Sequence, residues 1–228
     1  MLHTDYPEGP LFPEAVIREA QERWVALRPH SDGAAIPVAS LNVAGWDGTE
    51  SALAYRQGDC LDFVPLPRGR CDETMRQVAA RTSEWVASLP LSQKPHVLRV
   101  ITDALGGGVR AMLCEHKSRN PEVWGHCRIE TFSWGSKPKR PDLYRMAVDE
   151  RHFALREALD AGVALPPGED VLEGLSARGW DRDAFGQRRV ETMHSLKQRG
   201  VRNPHRAQAL VACAPEPAAP RQPQLATV

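Results

Sequence analysis

Asp103, Glu115 and Lys117 are the residues of this chain best suited to metal-assisted hydrolysis. Two carboxylates can hold a divalent ion such as Mg2+, and a lysine can position or activate the attacking water. Glu115 and Lys117 are two residues apart, so a β-strand would present both on one face. Glu84, on an earlier helical stretch, could supply a further acid. A second set lies in the same stretch, GGGVRAMLCEHKSRNPEVWGHC (106–127). Cys114, His116 and His126 are zinc-ligand types, and three protein ligands with one open position would suit a catalytic Zn2+. The third set is basic. Lys137, Lys139, Arg140 and Arg145 cluster in SKPKRPDLYR, and Arg188, Arg189, Lys197, Arg199 and Arg202 lie in QRRVETMHSLKQRGVRNPHR. Such clusters can neutralise phosphates, and Trp124, Phe132, Trp134 and Tyr144 nearby could stack on bases.

The elements must place these side chains. HVLRVITD (96–103), VRAMLCEHK (109–117) and VWGHCRIETFSW (123–134) read as consecutive strands joined by short turns at Gly106-Gly107-Gly108 and Asn120-Pro121. That is an antiparallel meander. An acid followed by E-x-K resembles the PD-(D/E)xK nuclease pattern. The resemblance implies Asp103 and Glu115 as metal ligands and Lys117 as the residue serving the water. In a regular hairpin centred on Gly107, however, Asp103 faces Ala111, and Glu115 lies four residues beyond, roughly 13 Å away at about 3.3 Å per residue. A turn centred on Pro121 pairs His116 with His126, their Cβ atoms about 4.5–5.5 Å apart. Cys114 shares that face and Cys127 does not.

Helices are expected before and after the meander. PEAVIREAQERWVALR (13–28) and CDETMRQVAARTSEWVASLP (71–90) carry apolar residues at helical spacing, as does DLYRMAVDERHFALREALDAG (142–162). EDVLEGLSARG and DRDAFGQRRVETMHSLKQRG read as two helices joined at Gly179-Trp180-Asp181, compatible with a DNA-binding helix-turn-helix whose second helix is basic. AAIPVASLNVAGW and ALAYRQGDCLDFVPL read as strands.

The expected fold class is α+β, an antiparallel β-meander flanked by helices and followed by a helical C-terminal part. Residues 1–135 would form the mixed α/β part with the antiparallel sheet, 136–206 a basic helical part, and 207–228 a disordered Pro/Ala-rich tail. Basic and acidic residues number 29 each, so global charge selects no partner. The five cysteines include no CxxC, which argues against a zinc ribbon and a disulfide framework and for a cytoplasmic protein. No apolar run approaches a membrane span, so no membrane partner is expected. The leading functional expectation is nucleic-acid binding, to DNA or RNA, as a component of a larger assembly. One alternative is a metal-dependent nuclease or other hydrolase at the 103–127 hairpins, with Mg2+ or Zn2+ as cofactor. The other is a protein-interaction or assembly module without nucleic acid.

Overall fold

The computed structural model describes residues 8–27, 36–43, 50–66, 71–102, 105–201 and 205–216. A five-stranded sheet of order β3-β2-β1-β4-β5 forms its centre. The strands are β1 (Val38–Asn42), β2 (Ala52–Gln57), β3 (Cys60–Val64), β4 (Val97–Ile101) and β5 (Arg128–Phe132). The β1–β2 and β2–β3 pairs are antiparallel, whereas β1–β4 and β4–β5 are parallel. The sheet is therefore mixed, and the expected antiparallel meander is corrected. Every residue of β1 and of β4 is buried, as central strands covered on both faces require.

Helices cover both faces. Alternation along β1 sends Val38, Ser40 and Asn42 to one side and Ala39 and Leu41 to the other. On the first side lie α1 (Glu14–Leu27), α5 (Ala147–Asp160), α6 (Glu169–Ser176) and α8 (His205–Cys213). Ile17, Val38, Ala54, Leu155, Leu175 and Leu210 share their core. On the second lie α2 (Cys71–Ser88), α3 (Gly106–Arg119) and the short α4 (Pro121–Trp124), whose core joins Leu41, Leu98, Val100, Val109, Leu113 and Trp124. Residues from both sides of position 135 thus close the first core together.

The largest departure from expectation is α3. Val109, Ala111 and Leu113 alternate like a strand, but Val109 and Leu113 are also four apart and are buried on one helical face, while Ala111 is exposed. The triple glycine is the first turn of this helix. A Cβ on Gly106 would stand 1.7 Å from the carbonyl oxygen of Ile101, so the helix can begin against the end of β4 only with glycine there.

The helix-turn-helix expectation is also corrected. A hairpin of β6 (Trp180–Arg182) and β7 (Arg188–Val190) follows α6, and of the expected second, basic helix Met193–Gln198 (α7) alone is helical. Asp183 makes the turn. Its carboxylate accepts from the backbone N–H groups of Phe185 (2.9 Å) and Gln187 (3.0 Å), and Gly186 takes a φ of 78°. The tail expected from residue 207 begins instead inside α8, and helical backbone continues to Cys213. None of the described helices is long and apolar enough to cross a membrane.

Candidate functional site

In open sheets with parallel strands, ligands settle outside the carboxyl ends of the strands, where neighbouring strands connect in opposite directions. Here that place lies between β1 and β4. The chain leaves β1 toward β2 and leaves β4 toward β5 on the other side. Asn42 and Ile101 are paired at this edge. Beside them Thr102 donates its backbone N–H to the Phe132 carbonyl (3.0 Å), which brings the end of β5 to the same edge.

α8 runs antiparallel to β1 across it. The Cys213 thiol meets the Val38 carbonyl (3.1 Å), the Ser40 hydroxyl donates to the Ala209 carbonyl, and the Asn42 amide donates to Gln208 Oε1 (2.7 Å) and the His205 carbonyl (3.3 Å). The amino-terminal end of α8 therefore sits over the carboxyl end of β1. Gln208 in turn donates to the Met193 sulfur at the start of α7 (3.2 Å), to which Arg178 also donates (2.9 Å). Asn42 is 1% exposed and Gln208 6%. Asn42 Oδ1 is buried and has no hydrogen-bond partner among the described residues. A buried strand end that carries a carboxamide with an orphaned oxygen is the least core-like feature of this sheet.

The residues singled out from sequence are distributed differently. Asp103 lies outside the described residues. Glu115 and Lys117 are on α3, not on a strand, so a spacing of two turns them about 200° apart. Glu115 is exposed and pairs with Arg119, while Lys117 donates to the Cys127 carbonyl. The two do not form one site. Cys114 and His116 are half-buried on α3, and the His126 ring packs tilted against His96, with ring centroids 4.0 Å apart. No group of three or more His, Cys, Asp or Glu side chains among the described residues could hold a metal, so the expected zinc set is not assembled. Burial pushes the Cys60, Cys127 and Cys213 thiols up to about 11, which keeps them protonated and poor nucleophiles.

The basic clusters divide in two. Arg140 pairs with buried Glu150 (3.3 Å), Arg189 with Asp181 (2.5 Å), Arg199 with buried Glu191 (2.6 Å), and Lys139 with Glu216 (2.5 Å). Arg188 lies over the Phe153 ring at 5.1 Å. Lys137, Arg145 and Lys197 are exposed, and Arg202 lies outside the described residues. Asn42 and Gln208 attracted no attention in the sequence. They are neutral, belong to no motif and lie 166 residues apart, and the one signal was a carboxamide closing the largely apolar strand VASLN.

No protein-family model and no curated protein matches the chain. Solved structures do share its fold. The nuclease domain of the large terminase subunit gp2 of bacterial virus Sf6 superimposes with a TM-score of 0.71 at 16% identity, over 92% of this chain and 100% of that one. A variant from the same subunit with calcium gives 0.69 at 17% identity, over 91% and 100%. A variant nuclease domain with manganese gives 0.66 at 17%, over the same shares.

Those ions set a fit test for this chain. Such cations are held by several oxygens, carboxylates foremost. The described donors at the strand ends are the Asn42 and Gln208 carboxamides and the Thr102 hydroxyl, all neutral. Gln208 Oε1 is already occupied by the Asn42 amide, which leaves Asn42 Oδ1. These described atoms alone are too few for a divalent ion, and Asp103, the residue after Thr102, lies outside the described residues.

Proposed function

We propose that this chain is a DNA-binding domain, a component of a larger assembly, that engages the polynucleotide across the carboxyl ends of β1, β4 and β5. The observation that carries the reading is the fold. It matches a nuclease domain of a viral large terminase subunit along that domain's whole length. That likeness supports a nucleic acid as the ligand class, and the neighbour's being part of a subunit supports an assembly as the setting.

Placement of charge supports it. Lys137 follows the carboxyl end of β5, and the Ala147 N–H to Ser136 carbonyl bond (2.9 Å) brings the Arg145 segment beside it. Lys197 is on α7, whose first residue, Met193, contacts Gln208. Exposed cations thus flank the strand ends, and α8 points its partly positive amino-terminal end at the same place. Phosphates are the complementary ligand.

Fluorescence anisotropy with labelled duplex DNA and duplex RNA, across a salt series, tests the reading. Tighter binding to DNA and a steep loss of affinity with salt are expected. A chain that binds neither polymer, or binds with no salt dependence, ends it.

A further inference from the structure

We propose that Phe185, at the tip of the β6–β7 hairpin, stacks on an unpaired base and so gives this chain a preference for gapped or single-stranded sites in DNA. The proposal rests on the DNA-binding reading and adds a base contact to its phosphate contacts. Phe185 is 90% exposed, more than any other large hydrophobic side chain among the described residues. The turn does not require it. Asp183 closes the loop through the N–H groups of Phe185 and Gln187, and Gly186 supplies the left-handed backbone, so position 185 contributes only its N–H. A phenyl ring held in water is unfavourable until something covers it.

The ring stands on a fixed support. Arg189 and Asp181 form a two-pronged ion pair across the hairpin (2.5 and 2.7 Å), and Trp180 packs edge-on against Phe153. The 136–146 segment is stitched along β7. The Arg188 N–H donates to the Leu143 carbonyl (2.8 Å) and the Gln187 amide to the Pro141 carbonyl (2.5 Å). The Asp149 carboxylate accepts from the N–H groups of both Met146 (2.9 Å) and Val190 (2.8 Å). A side chain carried on such a frame loses little freedom on binding.

The surroundings of the ring select its ligand. An anchor for a protein partner sits within an apolar patch that becomes dry. The loop around Phe185 offers Asp183, Ala184, Gly186 and Gln187 instead, and the exposed Leu143 and Met146 lie along β7, further toward the base of the hairpin. Cations are close by. Arg182 is exposed and donates to the Gly186 carbonyl (3.3 Å). The stitched segment carries Lys137, Lys139, Arg140 and Arg145 against Asp142 as its one acid. Glu216 and Glu150 engage Lys139 and Arg140, while Lys137 and Arg145 are exposed. A lone aromatic face beside positive charges fits a base between phosphates. In continuous duplex each base is already stacked, so the ring gains most where a base has lost its neighbour.

The test uses the full chain and its Phe185→Ala and Phe185→Trp variants with two labelled DNAs: a continuous duplex, and the same duplex with a single-nucleotide gap opposite 2-aminopurine. Anisotropy gives the affinities, and 2-aminopurine emission reports on the base itself. The unaltered chain should bind the gapped DNA about tenfold more tightly than the continuous one. Phe185→Ala should lose that margin and Phe185→Trp should keep it. Affinities of all three for continuous duplex should agree within about twofold, because the phosphate contacts are untouched. Emission should change when the unaltered chain or Phe185→Trp binds, and hold its starting value when Phe185→Ala saturates the DNA. The Phe185→Ala chain should melt with the unaltered one, since the exposed ring supports no core.

Equal affinity of the unaltered chain for the two DNAs would overturn the stacking contact and leave the DNA reading standing. So would a gap preference or an emission change that survives in Phe185→Ala. Binding to neither DNA ends the DNA reading and the proposal with it. A concentration-dependent dimer in sedimentation that Phe185→Ala dissociates would make the tip a protein contact and overturn the base contact.

Discussion

His152 shows how one buried residue makes stability depend on pH. Its ring is packed near Phe12 and Trp134, and Nδ1 bonds the Val148 carbonyl at 2.7 Å. Burial first, and then the charge of Arg178, hold its pKa well below the ordinary value of 6.5, against the effect of the carbonyl bond. The folded chain therefore keeps this ring neutral where the unfolded chain takes up a proton. Stability from this group is complete above the unfolded pKa and is lost as pH falls below it, down to the folded value. Stability should therefore fall as pH is lowered from 7.5 to 5. Urea midpoints at the two pH values will show it, and His152→Gln should flatten the slope. An equal slope in the variant would remove His152 as the cause. Glu191 is the opposite case. Burial alone would raise its carboxyl, but hydrogen bonds from Arg199, Ser195 and the Gly179 N–H prevail and hold it below the usual carboxylate range. That contribution is lost only in stronger acid, as pH falls through its folded pKa.

At the scale of elements, the junction of α3 with β4 governs the second face of the sheet. Gly106 and Gly107 are neighbours with opposite expectations. Gly106→Ala drives a methyl into the Ile101 backbone and should cost about 3 kcal/mol. Gly107 has open space around its Cβ position, so Gly107→Ala should stabilise α3 by about 0.5–1 kcal/mol. Denaturation midpoints of the two variants should move in opposite directions, and equal shifts would contradict this docking. The same helix marks the limit of what the sequence made legible. α1, α2 and α5 follow from apolar residues at helical spacing, and β1, β2 and β4 from short β-branched and apolar runs. α3 was hidden because glycine is a poor helix opener and because Val109-Ala111-Leu113 satisfies both periods. The parallel pairing of β1 with β4 joins residues more than fifty positions apart, and no local pattern encodes it. The expected Asp103–Glu115–Lys117 set depended on that misplaced strand. The Asn42–Gln208 pair exists only once α8 lies on β1.

For the molecule as a whole, net charge is zero, and the question is which cations are free to act outward. Arg151 and Arg99 are used inward. Both donate to the Ala212 carbonyl at the end of α8, and both pair with Glu216. Burial lowers the Arg151 pKa to about 10, with Arg99 adding to the effect, and that still leaves it charged at neutral pH. Arg199 is likewise internal, tied to Glu191 and to the Ala177 carbonyl (2.6 Å). Alanine at Lys137, Arg145 and Lys197 together should reduce the salt slope of DNA binding by about 0.9 for each phosphate that is no longer neutralised, with little change in stability. Arg199→Ala should instead cost about 3 kcal/mol by leaving the Glu191 carboxylate buried without its cation. Anisotropy and urea melts on the same samples separate the two effects. A salt slope untouched by the triple variant would move the interface elsewhere.

The order in which this chain is made gives α8 one more consequence. Asn42 and Gln208 are 166 residues apart, and at about 5–20 residues per second a ribosome needs about ten to thirty seconds to pass from one to the other. Throughout that interval the β1 face that carries Val38, Ser40 and Asn42 has no cover from α8. Nascent chains stalled before His205 should therefore recruit holdase chaperones, and chains stalled with α8 fully outside the exit tunnel should release them.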